Sequence, residues 1–202
     1  MTPHRRLVTA SGALALTLVL GACAGTTETT DTAPVAEETA GTDPVTFNDA
    51  DTEFAQMMVI HHEGALEMAA FAAAEATTEE VRALAQRIEA AQQPEIDLMT
   101  SWLQRWDQDM PDEAAHGGMD HGGMDMDGLS QDEAMAELRG LSGADVDRRF
   151  LELMIAHHRG AVEMSETQRE NGENPEAVEL AGRIIDDQQA EITEMERLLG
   201  DL

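Results

Sequence analysis

The stretch Phe54–Met68, FAQMMVIHHEGALEM, returns as Phe150–Met164, FLELMIAHHRGAVEM, at an offset of 96 residues. The same offset carries Ile88, Gln92, Gln93, Glu95, Ile96 and Met99 onto Ile184, Gln188, Gln189, Glu191, Ile192 and Met195. Two segments that repeat in one register, with no gap between them, describe a duplicated unit larger than one helix. A chain built this way is confined to folds in which two like halves associate. Several of the positions kept in both copies are polar, which a core alone would not demand.

Within each copy the pattern is helical. Asn48 or Asp49 can cap a first helix over about 50–75, and Thr77 with Glu80 forms a capping box for a second over about 78–107. A third helix is predicted over about 144–170. Asn174 then caps a fourth, which Pro175 opens and which runs to about 199. Pro94 stands inside the second helix where the other copy has Ala190, so a kink is expected there. Ser130 can cap a short extra helix over about 131–139. Two helical hairpins joined by a long connection predict an all-α fold, a four-helix bundle with pseudo-twofold symmetry. The repeats run over about 50–107 and 144–202, and the connection over 108–143.

The N-terminal residues read as an export signal. His4, Arg5 and Arg6 precede the apolar run Leu7–Leu20, too short for a membrane span, and Leu20-Gly21-Ala22-Cys23 follows. This resembles a bacterial lipoprotein box, with 1–22 as signal peptide and Cys23 as the lipidated residue. Cys23 is the only cysteine; once it is lipidated the folded part has no thiol, so no disulfide is possible and any metal site must draw on His, Met and carboxylates. Residues 23–49 are rich in Thr and acidic residues and read as a disordered tether ahead of the folded domain, 50–202. The formal charge of −29, with every basic residue an Arg, excludes a nucleic-acid-binding face.

Helical geometry, at about 100° per residue, puts His61 with Phe54, Met58, Ala65 and Met68 on the side opposite the polar face. His157 stands likewise with Phe150, Met154, Ala161 and Met164. These two histidines should point into the core, with His62 and His158 at its flank. Glu95 lies on the apolar stripe of Val81, Ile88, Met99 and Trp106, and Glu191 repeats the anomaly. Buried charges need partners. Either each core His donates to a core Glu and the pairs fix the register, or His and Met bind a metal while Glu95 and Glu191 orient the imidazoles. Met58 is one turn from His61 and His62, so these can face one ion. Gly64 and Gly160, costly in a helix, suggest close approach of a neighbour. Trp102 and Trp106 are expected to pack at the end of the bundle.

The connection holds a tandem His-Gly-Gly-Met-Asp, with His116, Met119, His121 and Met124, followed by Met126. Its glycines allow it to wrap an ion. Thioether beside imidazole suits copper, above all Cu(I) with Cu(II) as a second state, although the Asp residues leave Zn, Ni or Ca open.

The paired His-His-x-Gly-Ala-x-x-Met, followed by Gln-Gln-x-Glu-Ile-x-x-Met, resembles the DUF305 family. The resemblance implies a ferritin-like helical bundle and a periplasmic copper-binding role that protects the cell envelope. By residue it points to His61, His62, Met58 and Met68, and to His157, His158, Met154 and Met164. The expected protein is an exported lipoprotein, in the periplasm or on the outer face of the cytoplasmic membrane. It would buffer or sequester copper without catalysing a reaction. A metal-free structural lipoprotein and a di-iron oxidase are the alternatives. The oxidase would need Glu-x-x-His spacing, and no acidic residue stands three positions before any of the four helical histidines.

Overall fold

The computed structural model describes residues 46–110, 126 and 128–202, and among these it is all-helical. Helix α1 spans Asp49–Glu75, α2 Glu79–Arg105, α3 Gln131–Gly140, α4 Ala144–Asn171 and α5 Pro175–Asp201. The starts follow their local signals. Asn48 caps α1 in a full capping box with Asp51, and Ser130 caps α3 in one with Glu133. Asn174 caps α5 ahead of Pro175. The start of α2 departs from expectation. Thr78 is its N-cap without a side-chain cap bond, and the hydroxyl of Thr77 donates to Asp147 instead of serving a capping box with Glu80. Helix α2 continues through Pro94. None of these helices is long and apolar enough to cross a membrane.

Helices α1 and α2 form one hairpin, and α4 and α5 the other. The hairpins meet through α1 and α4, while α2 and α5 touch only marginally. The two inner helices run antiparallel, because the start of each is tied to the end of the other. Asp147, at the start of α4, accepts from the backbone N–H of Thr77 (2.6 Å) and Thr78 (2.8 Å) and from both hydroxyls (2.8 and 2.9 Å). Asp51, at the start of α1, accepts from the N–H of Glu173 (3.1 Å) and Asn174 (3.0 Å) and from Gln168 Nε2 (2.5 Å). The carboxylates and their backbone donors obey the 96-residue offset, Asp51 to Asp147, Thr77 to Glu173 and Thr78 to Asn174, whereas the side-chain donors differ between the copies. Both carboxylates are fully buried. Each half thus closes the helix turn of the other.

The core consists of two clusters that the same offset interconverts. One holds Met68, Leu84, Ile88, Phe150, Met154 and Met195. The other holds Met58, Phe54, Met99, Leu180 and Ile184, with the partly buried Met164 against it. Among the described residues, only the first receives additions from the connection: Met126 and, from α3, Ala134, Met135 and Leu138. At the far end of the second cluster, Phe47 stacks on Trp106 at 4.8 Å and the indole N–H of the fully buried Trp102 donates to Glu176.

Candidate metal centre

The four helical histidines meet where α1 crosses α4. The rings of His61 and His157 are in contact, with centroids 3.6 Å apart and planes tilted by 39°. His62 stands 6.4 Å from His61, and His158 stands 6.5 Å from His157. All four are buried. Burial first, then the neighbouring imidazoles of His61, His158 and His62, push the pKa of His157 well below the ordinary histidine value, so this ring stays neutral. Neutral imidazole is the form that ligates metals.

The carboxylates serve the flanking histidines. His62 Nε2 lies 2.8 Å from Glu95 Oε2, and His158 Nε2 lies 2.7 Å from Glu191 Oε2. Glu95 and Glu191 therefore do not pair with His61 and His157, the core histidines of the sequence reading. The reason is positional: His61 and His157 face the α1–α4 seam, whereas a side chain from α2 or α5 reaches the flank of its own hairpin partner. A proton on Nε2 donated to the carboxylate leaves Nδ1 with its lone pair. In both histidines that Nδ1 is buried and has no hydrogen-bond partner among the described residues, as does Nδ1 of His157.

A further polar pair accompanies these groups. Gln92 and Gln188, one turn before the two glutamates, are buried, with both amide atoms of Gln92 and Oε1 of Gln188 lacking partners among the described residues. Gln-Gln-x-Glu in both copies is the signal that marks them.

The methionines divide across the duplication. Met58 of the first copy shares a cluster with Met164 of the second, and Met68 of the first with Met154 of the second. Met58, Met68 and Met154 are fully buried, while Met164 is partly exposed. Of the connection residues, Met126 is buried in the cluster of Met68. His116, Met119, His121 and Met124 lie outside the described residues, as does Cys23. Among the described residues no group of three or more His, Cys, Asp or Glu could hold a metal ion. Gly64 meets a close neighbour, as its cost in a helix suggested. A Cβ there would stand 2.7 Å from Gln131 Oε1 of α3, whose Nε2 donates to the Gly64 carbonyl.

Residues 51–199 match the model of the domain of unknown function DUF305, and the chain belongs to that family. Among solved structures it is similar to a DUF305 fragment from Deinococcus radiodurans, at 34% identity and a TM-score of 0.66, covering 77% of this chain and 98% of that one. A Streptomyces coelicolor DUF305 protein described as secreted aligns at 32% identity and a TM-score of 0.66, covering 75% and 91%. CopM in its Cu(II)-bound form aligns at 35% identity and a TM-score of 0.63, covering 75% and 96%. Its Cu(I)-bound form gives 32% and 0.61 with the same coverage. No curated protein matches the chain.

Proposed function

We propose that this is an exported copper-binding protein that buffers or sequesters the ion at the cell envelope through His and Met. The observation that carries the reading is the duplicated His–Glu pair. Each pair presents a buried Nδ1 with no hydrogen-bond partner among the described residues, on helices that also carry the buried Met58, Met68 and Met154. A carboxylate on one imidazole nitrogen fixes the tautomer and raises the basicity of the other. Thioether adds a soft neutral donor that favours Cu(I) over Zn or Ca. His61, His62, His157 and His158, with Met58, Met68, Met154 and Met164, would supply the donors, oriented by Glu95 and Glu191. His116, Met119, His121, Met124 and Met126 would add capacity in the connection. The copper-bound forms of CopM support the same reading. A ferritin-like four-helix arrangement over 50–202 is the scaffold this implies.

Export and anchoring belong to the proposal. Residues 1–22 direct export, Cys23 takes a lipid, and the residues from there to the start of the folded domain at Thr46 tether it; the expected tether, 23–49, ends earlier because Phe47 stacks on Trp106 and Asn48 caps α1. The similar S. coelicolor protein, described as secreted, agrees with export. Cys23→Ser should release the protein from membranes or leave it unprocessed. Unchanged membrane fractionation with normal processing would defeat the lipid claim.

Metal analysis of protein purified without an affinity tag, before and after a copper challenge, tests the function. Bound copper is the expected result. Iron would point to an oxidase. No metal after the challenge would leave the His–Glu pairs as structural ties between helices.

A further inference from the structure

The duplication builds two equivalent thioether clusters, and among the described residues a helix from outside the repeat packs on only the first. Helix α3 lies over the Met68 side. Its Gln131 bonds to the carbonyl of Gly64, and its Arg139 pairs with Glu67 at 2.6 Å. Met135 and Leu138 enter the cluster of Met68, and Met126 fills in beside them. The corresponding residues of the second copy are Gly160, Glu163 and Met164. No described helix plays the part of α3 there. The outcome is a contrast between residues that the repeat makes equivalent: Met68 is fully buried, and Met164 is partly exposed.

We propose that a soft monovalent cation enters and leaves the bundle at Met164, and that α3 closes the opposite end over Met68. This rests on the reading of the bundle as a His and Met site. A soft ion passes between thioethers when an incoming donor reaches it before the outgoing one leaves. Only a thioether with an open side permits that overlap. Met164 has one and Met68 does not. Among the described residues the inserted helix thus makes a symmetric duplication asymmetric, and Met164 is the residue that would face an accepting partner or chelator.

Methionine oxidation reads accessibility directly, because peroxide attack on sulfur follows exposure. The full chain without metal is treated briefly with hydrogen peroxide, and sulfoxide at Met164 and Met68 is quantified by peptide mass spectrometry. Met164 should oxidise several-fold faster than Met68. Added Ag(I) should protect Met164 in a chain shown to bind it. Leu138→Ala, which thins the contact of α3, should speed oxidation of Met68 and leave Met164 unchanged. Equal oxidation of the two residues without metal would overturn the proposal whatever the metal chemistry. Failure of Ag(I) to protect Met164 in a chain that binds Ag(I) would overturn entry at Met164 while leaving the binding function standing. A parent chain that takes up no Ag(I) would overturn the functional reading and entry at Met164 with it.

Discussion

Asp147→Ala will lower the unfolding free energy by about 3 kcal/mol or more, the largest effect expected of any polar substitution outside the histidines. Asp147 is fully buried and accepts four hydrogen bonds from Thr77 and Thr78. Its removal orphans two backbone donors at the start of α2 and cuts the tie between the hairpins. Asp147→Asn keeps the volume but turns an NH2 group towards donors, so it should lose nearly as much. For a chain of this size the loss corresponds to a fall in Tm of about 6–12 °C, readable by circular dichroism. A loss below about 1 kcal/mol for both variants would contradict the account. The pH dependence follows. Burial acts to raise this carboxyl, but the bonds from Thr77 and then Thr78 outweigh it and hold its pKa below the ordinary aspartate value. The stabilisation is complete above the unfolded value, near pH 4, and is lost as pH falls through the lower folded value.

Stability will also decline in a separate, earlier limb as pH drops below about 6.5, the ordinary histidine value from which His157 is pushed down. A lowered folded pKa means that the unfolded chain takes the proton first. Acid therefore favours unfolding until the folded value is reached. One such group gives a slope of at most about 1.4 kcal/mol per pH unit. Urea titrations of metal-free protein between pH 7.5 and 4.5 measure the slope. His157→Leu, which cannot be protonated, should flatten it by that amount. An unchanged slope in the variant would show that His157 is protonated readily in the folded chain and is not sealed in the core.

Helix positions were legible because caps and periodicity are local: Asn48, Ser130, Asn174 and Pro175 each act within one turn of themselves. Glu95 and Glu191 were legible as anomalies, charges on an apolar stripe repeated in both copies. Their partners were not. A single helix shows which side faces inward, but not which neighbour lies against each flank, so the glutamates were matched to His61 and His157 rather than to His62 and His158. Asp51 and Asp147, 96 residues apart, carry no local mark of their role. Their role depends on antiparallel pairing of α1 and α4, which no local signal encodes. The seat of α3 on Gly64 and Glu67, and hence the contrast between Met68 and Met164, is likewise a matter of long-range packing.

The central claim is that imidazole and thioether in the helices bind a soft ion. Cu(I) competition titration tests it on a variant lacking residues 114–125, which removes His116, Met119, His121 and Met124 and retains the buried Met126. Met58→Leu and Met154→Leu are then added together. Leu roughly preserves volume at these buried sites, so each change should cost less than about 1.5 kcal/mol and helicity should stay. The account predicts that the parent of this pair binds Cu(I) and that the double Leu variant binds it more weakly. Equal Cu(I) affinity in the two, at equal helicity, would show that the helical methionines only fill the core.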